Sequence, residues 1–205
     1  MKKIINGKLM NYISNKTDYN EIHLKEIEYG LTSIYLTISK MIIICSIAYF
    51  IGLIKKMFIF MLFFNIIRTT AFGLHATKSW ICLLTSTIAF LGIPILCIYL
   101  EVNIYLKILI GIIGFILIFK NAPADTKKRP IVNRNRRLFL KICSSFITGL
   151  FVISSLIVNN NYISNCLIFS IILENILISP LTYKLFNMSY NNYIEFLKSH
   201  PDFNC

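Results

Sequence analysis

The chain has 205 residues, of which 56% are hydrophobic and only 15% are charged. An ordinary soluble domain carries about a quarter charged residues, and a globule of this size cannot bury so large an apolar excess. Lys and Arg outnumber Asp and Glu by 21 to 9, but the basic residues flank apolar runs instead of forming a basic face. The composition therefore excludes an ordinary soluble domain and argues against a nucleic-acid partner.

The first 30 residues predict an amphipathic helix that lies on a membrane surface. Apolar residues recur there at near-helical spacing, with lysines on the other side; they are Ile4, Ile5, Leu9, Met10 and Ile13. Such a helix places its apolar face in the lipid and its lysines among the headgroups. A soluble N-terminal helix is the alternative.

Six apolar runs follow and predict an all-α, polytopic membrane helix bundle of about six segments. They cover residues 31–54, 57–68, 81–100, 104–119, 138–158 and 164–186. A spanning helix needs about 20 residues, so the second run either continues through "RTTAFGL" or enters the membrane without crossing it. The predicted domains are an N-terminal region 1–30, a helical domain 31–186 and a cytoplasmic tail 187–205.

The positions of the basic residues predict the orientation of the bundle. The loop 120–137 is rich in Lys and Arg, so it is expected on the cytoplasmic side. Counting back through the spans places His75 on the same side, and the N-terminus too if the second run crosses. Lys55 and Lys56 then lie outside, against the charge rule.

The six cysteines predict neither a disulfide framework nor a metal site. They include no CxxC pair, and most lie inside apolar runs, where a free cysteine behaves as a small hydrophobic residue. No spacing typical of metal ligands, nucleotide-binding glycines or a serine nucleophile is present. We therefore expect no metal and no cofactor.

The segment "RTTAFGLHATKSWIC" places Arg68, His75 and Cys82 at intervals of seven residues. A cysteine attacks carbonyls as the thiolate, and a nearby imidazole can take up and return its proton. Seven residues of a straight helix would separate His75 and Cys82 by about 10 Å, whereas contact requires about 3–4 Å. A catalytic pair therefore requires a break around residues 76–80, with Cys82 near the start of the next helix. The alternative is a packing cysteine and an interfacial histidine.

Two further ionisable residues lie inside the apolar runs. Glu174 is expected at mid-span, where a buried charge needs a partner, and Lys40 at comparable depth is the predicted partner. A small transporter is the alternative function, with Lys40, Arg68 and Glu174 lining a polar path. A third hypothesis is a non-enzymatic scaffold whose basic loops recruit partners.

Two motifs resemble the accessory gene regulator protein B family (AgrB). "RTTAFGLHATKSWIC" is similar to its Arg…Gly-x-His-Ala…Cys segment, and "NAPADTKKRP" to its Pro-x-Asp-Thr…Pro loop. In the second motif the matching residues are Pro123, Asp125, Thr126 and Pro130. The chain departs from the common Gly-Gly-aromatic pattern before the histidine, because it reads Phe72-Gly73-Leu74.

This resemblance implies a membrane cysteine endopeptidase that processes the precursor of a quorum-sensing peptide. Cys82 would attack a peptide bond on the C-terminal side of the signal, with His75 as its base, and would hold the acyl group as a thioester. An internal cysteine of the precursor would then close a thiolactone ring without a cofactor. The resemblance also implies a homodimer in the cell membrane with its active site at the cytoplasmic face.

The remaining site candidates have supporting roles. Arg68 is expected either to bind a precursor carboxylate or oxyanion or to anchor the helix at the membrane surface, and Gly73 belongs to the same motif. Asp125 either orients His75, pairs with Arg68 or is a turn residue, and Thr126 follows it. The basic residues Lys127, Lys128 and Arg129 are expected to hold the acidic tail of a precursor with an amphipathic leader.

Overall fold

The computed structural model of the protein describes residues 21–74, 79–126 and 130–199. These residues form helices joined by loops and include no β-strand, which confirms the predicted all-α fold. Most of the predicted surface helix, residues 1–20, lies outside the described part of the chain.

The described residues form nine α-helices. They are α1 (Glu21–Phe50), α2 (Ile54–Ala71), α3 (Ser79–Thr87), α4 (Ile93–Tyr99), α5 (Ile104–Asn121), α6 (Arg134–Ile157), α7 (Asn161–Ile178), α8 (Pro180–Leu185) and α9 (Asn192–Ser199). A π-helical turn, Ile88–Gly92, joins α3 to α4 in one continuous helical segment.

The chain divides after Gly52 into two compact units. The described part of the first unit is α1, in which residues 21–30 continue directly into the apolar run that follows. The second unit contains α2 to α9. Five helical segments in the described chain are long and apolar enough to cross a membrane: Gly30–Phe50, Trp80–Tyr99, Ile104–Asn121, Arg134–Ile157 and Asn161–Ile178.

Helix α7 lies at the centre of the second unit, where it contacts α2, α4, α5 and α6. Its residues Ile168, Ile171 and Ile178 are fully buried. By contrast, α5 exposes large apolar side chains such as Leu109 and Ile112, each about half accessible. An outer face of this kind is suited to lipid, which makes the chain a multi-pass membrane protein.

Helix α2 corresponds to the short second run, and it extends along the bundle from end to end. Its 18 residues give a length of about 27 Å. Near its start, the Lys56 carbonyl accepts a hydrogen bond of 2.6 Å from Tyr162 at the beginning of α7. Beyond its end, the Leu74 amide donates to Leu177 at the end of α7. The helix therefore runs parallel to α7 for its whole length, which favours crossing over re-entry.

Two glycines allow α5 to approach its neighbours closely. A Cβ atom at Gly111 would lie 2.7 Å from the Val152 side chain of α6, and one at Gly114 would lie 2.5 Å from the Ile171 side chain of α7. Small residues at helix contacts are typical of membrane bundles, because association there depends on close packing. These contacts fix α5 between α6 and α7.

The last predicted run, residues 164–186, is interrupted in the structure. Helix α7 ends at Ile178, and Pro180 begins the separate helix α8. Proline lacks the amide needed inside a helix, and its ring clashes with the preceding turn, so a new helix can start there but the old one cannot continue.

Three segments of the second unit meet at one end, which we call the loop end. It consists of Phe72–Leu74, Ala122–Asp125 and Leu177–Tyr193. The basic start of α6 lies at the same end, since the Arg137 guanidinium carbon lies 3.1 Å from the centre of the Tyr193 ring. The segment preceding His75 and the basic loop therefore share one end of the bundle, as the charge pattern predicts.

Candidate functional site

Backbone hydrogen bonds fix the chain immediately after α2. The Phe72 amide donates to Arg68 at 3.0 Å, and the Gly73 amide donates to Ala124 at 2.9 Å. The Ala124 amide in turn donates to Ala71 at 3.0 Å, so Phe72 and Ala124 form a short parallel bridge. The two motifs that are far apart in sequence are therefore paired directly in space.

Leu74 is the last described residue before His75, and it is also bonded to the bundle. Its amide donates to the Leu177 carbonyl at 3.1 Å, and its side chain is buried. The path of the backbone is therefore defined up to the residue that precedes the predicted base. His75 itself lies outside the described residues.

The Arg68 guanidinium holds the same short segment from the side of α2. Its Nη1 atom donates to the Phe72 carbonyl and its Nη2 atom donates to the Leu74 carbonyl at 2.7 Å. The side chain is only 13% exposed. This arrangement differs from that of a membrane-surface anchor, whose charged group reaches water.

The carboxylate of Glu174 pairs with Arg68, at 3.3 Å from Nη1 to Oε1. The predicted Lys40–Glu174 pair is therefore wrong. Hydropathy indicates the depth of a charge but not which helices are neighbours, and α2 is the helix that packs beside α7. Glu174 also lies about one turn before Ile178 at the end of α7, and so closer to the loop end than its expected position at mid-span.

Gly73 occupies a position where a side chain would not fit. Its φ angle is +112°, and an added Cβ atom would overlap Nη1 of Arg68. The same Cβ would lie 3.1 Å from the Leu177 carbonyl oxygen, a backbone atom that cannot rotate away. Glycine is therefore required here both by backbone conformation and by space.

Asp125 caps helix α9 from a distant loop. Its Oδ1 atom accepts the Asn192 amide at 3.0 Å, and its Oδ2 atom accepts the Tyr193 amide at 2.8 Å. A carboxylate at a helix N-terminus satisfies free amides and interacts favourably with the helix dipole. Of the expected partners, Arg68 is bonded to Glu174 instead, and an interaction with His75 stays a prediction.

A buried tyrosine, Tyr183, and a half-buried one, Tyr190, support this loop. The Tyr183 hydroxyl donates to the Asp125 carbonyl at 3.0 Å, and burial raises the pKa of Tyr183 above its ordinary range. Burial also raises the pKa of Tyr190, whose ring makes an edge-on contact with that of Tyr183 at 5.2 Å. Both phenols therefore remain protonated at neutral pH, and Tyr183 keeps its donor role.

The basic candidates of the second motif follow directly after this anchored segment. Thr126 is half-buried, whereas Lys127, Lys128 and Arg129 lie outside the described residues. The flanks of the basic loop are both attached to α9, through Asp125 on one side and through Arg137 against Tyr193 on the other.

Cys82 lies in helix α3 (Ser79–Thr87). It is a free thiol with a half-buried side chain. Ala76, Thr77 and Lys78 lie outside the described residues, so the predicted break before Cys82 stays a prediction. The contact between His75 and Cys82 stays a prediction.

Sequence reasoning missed the residues that anchor the segment before His75. The acceptors and donors involved are mostly backbone groups of apolar residues: Phe72, Leu74, Ala124 and Leu177. No side-chain pattern signals such bonds. For Asp125, the cap partners Asn192 and Tyr193 lie 67 and 68 residues away, and no local motif signals a pairing over that distance.

A family model described as Accessory gene regulator B matches residues 6–178. The chain belongs to the accessory gene regulator B family. The resemblance predicted from the two motifs is thereby confirmed, and both motifs lie within the matched region. Family membership places this membrane protein in quorum-sensing accessory gene regulation.

Relatives in several bacteria share most of their length with this AgrB-family chain. A putative AgrB-like protein of Clostridium acetobutylicum is 35% identical over 175 residues, covering 85% of this chain and 84% of the relative. A putative AgrB-like protein of Listeria monocytogenes is 32% identical over 185 residues, covering 87% of each. Accessory gene regulator protein B of Staphylococcus epidermidis is 29% identical over 184 residues. No solved structure matches the chain.

Proposed function

We propose that this AgrB-family protein is a membrane cysteine endopeptidase that processes the precursor of a quorum-sensing peptide. The observation that carries the proposal is the arrangement around the predicted pair. The backbone is anchored up to Leu74, directly before His75, and Cys82 lies only eight residues after Leu74, in helix α3 of the same unit. In the proposal, His75 approaches this thiol and acts as its base.

In the proposed reaction, the Cys82 thiolate attacks the carbonyl carbon of the scissile peptide bond. The C–N bond then breaks, and the imidazolium of His75 gives its proton to the leaving amine. The N-terminal part of the precursor remains on Cys82 as a thioester. The thiol of an internal precursor cysteine, deprotonated by His75, attacks this thioester, releases Cys82 and closes a thiolactone ring. One thioester replaces another, so no energy source is needed.

The transporter alternative receives less support from the described residues. Its polar path would require Arg68 and Glu174 to face a passage, but they are bonded to each other, and Arg68 is also bonded to two backbone carbonyls. The Glu174 side chain has no accessible surface. Groups that are bonded internally in this way are poor candidates for a transport path.

Trapping the acyl-enzyme tests the proposed reaction directly. The chain is co-expressed with short reading frames from its genomic neighbourhood to find the precursor, and the internal cysteine of that precursor is then replaced by alanine. Ring closure is blocked, so the N-terminal fragment is expected to accumulate on Cys82. Mass spectrometry should show the added mass on the peptide that contains Cys82, and neutral hydroxylamine should remove it. A precursor that is cleaved while Cys82 stays unmodified would contradict the proposal.

The basic residues after Thr126 are proposed to hold an acidic precursor tail at the cytoplasmic face. Reversing Lys127, Lys128 and Arg129 to Glu is expected to raise KM by at least about tenfold at low salt, because attraction becomes repulsion. The difference should shrink as ionic strength rises, since salt screens exposed charges. Reversal of Lys55 and Lys56, at the opposite end of α2, serves as the control. An unchanged KM in the first variant would count against this role.

A further inference from the structure

Arg68 and Glu174 connect three segments at or beside the loop end through side-chain hydrogen bonds. Nη1 of Arg68 contacts both the Phe72 carbonyl and Glu174, while Nη2 contacts the Leu74 carbonyl. A single guanidinium therefore links α2, the segment before His75, and α7.

We propose that the Arg68–Glu174 pair is a positioning device for His75. Glu174 holds the guanidinium, and the guanidinium holds the carbonyls of Phe72 and Leu74. The backbone immediately before His75 is therefore kept in one conformation. Neither residue is assigned contact with the precursor. This inference rests on the proposed function, because it assumes that His75 acts as the base.

Stability alone is a weak reason for such a pair. A buried ion pair loses as much by desolvation as it gains by attraction in many proteins, and apolar residues of similar size often replace it without loss. Apolar residues cannot supply a planar donor that binds two carbonyls separated by a single residue. The two carbonyls held here belong to the residues at either side of Gly73, directly before the predicted base.

The surroundings of the pair fit a fixed geometry. Gly73 leaves room for Nη1 of Arg68, and Leu74 is held from the other side by the Leu177 carbonyl. The second oxygen of Glu174, Oε2, is buried and accepts no hydrogen bond from the described residues. The carboxylate therefore retains acceptor capacity beside Arg68.

Arg68→Lys is the most informative variant, because it keeps the charge pair with Glu174. A single ammonium nitrogen replaces two guanidinium nitrogens, so the two carbonyls are no longer held by one rigid group. We expect kcat for cleavage to fall by about a hundredfold, as for other small displacements of a reacting group. KM should change less than about threefold, because precursor-binding residues are untouched.

A second readout requires no precursor. The rate of iodoacetamide alkylation at Cys82, followed by mass spectrometry of its peptide, reports how well the imidazole promotes the thiolate. His75→Ala defines the fully uncoupled rate. Arg68→Lys and Glu174→Gln should both shift the wild-type rate toward that of His75→Ala, and Glu174→Asp should restore part of it.

Lys107→Arg is the matched control, because Lys107 is a buried cation at the opposite end of the bundle, bonded to Ser164 at 2.7 Å. It should leave kcat and the alkylation rate unchanged. If Glu174→Gln fails to accumulate, Arg68→Lys alone decides the question. Wild-type kcat and alkylation rate in a folded Arg68→Lys protein would overturn the inference.

The same experiment separates this inference from the proposed function. If Cys82→Ala still cleaves the precursor, the endopeptidase proposal fails whatever the Arg68 variants do. If Cys82→Ala is inactive while Arg68→Lys and Glu174→Gln retain full activity, the endopeptidase proposal stands and only the positioning role is wrong.

Discussion

Replacing Cys82 with alanine should lower the rate of precursor cleavage by at least about a thousandfold. The variant has no nucleophile to form the thioester, and loss of one member of a catalytic pair removes nearly all of the rate that the pair provides. The measurement is release of the C-terminal fragment by purified protein in lipid vesicles, followed by mass spectrometry. Cys82→Ser is expected to be almost as inactive, since a hydroxyl is far less nucleophilic than a thiol.

Two other cysteines provide matched controls for this change. Cys45 and Cys143 are also free and half-buried, so Cys45→Ala and Cys143→Ala remove a thiol of similar exposure. Both variants should cleave the precursor at the wild-type rate. Processing that survives Cys82→Ala at normal protein levels would rule out the endopeptidase mechanism.

Gly73→Ala should reduce cleavage by about a hundredfold, although it adds only one methyl group. An alanine at a φ of +112° costs about 1–3 kcal/mol of backbone strain, and its Cβ would displace either Arg68 or the backbone near Leu177. Either shift moves Leu74 and therefore His75, and a displacement of about 1 Å is enough for this loss. The expected signature is a lower kcat with a small change in KM.

Gly52→Ala separates the two contributions to this effect. Gly52 also has a positive φ, +69°, but an added Cβ would meet nothing within 4 Å. The control variant thus carries backbone strain without the steric overlap, and it should lose some thermal stability while keeping its kcat. If Gly73→Ala cleaves as fast as Gly52→Ala, the space beside Arg68 is not needed for catalysis.

Much of the fold follows from the sequence because a bilayer imposes simple rules on helices. Each apolar run of sufficient length must be helical, since no water is available to satisfy its backbone. The short second run is the informative exception. Its helix extends from Ile54 to Ala71, so it includes Lys55 and Lys56, which precede the predicted run, and continues three residues beyond Arg68, where that run ends. Of these three basic residues, Arg68 forms an ion pair inside the bundle, with Glu174.

The sequence predicts which residues make up the candidate site but not how they are connected. Chemistry and family motifs single out the histidine and the cysteine, and their catalytic roles stay predictions. The partner of Glu174 was not predictable, because 106 residues separate it from Arg68. The choice of neighbouring helices depends on close packing at positions such as Gly111 and Gly114. The hydrophobic periodicity of the sequence does not indicate these contacts.

The long separation between Arg68 and Glu174 has a consequence for biosynthesis. A ribosome completes α2, His75 and Cys82 long before α7 emerges, so the guanidinium lacks its counter-ion while the early helices insert. The carbonyl of Leu177 and the amides of Asn192 and Tyr193 arrive later still. A chain that has been translated only as far as α7 therefore cannot assemble the complete loop end.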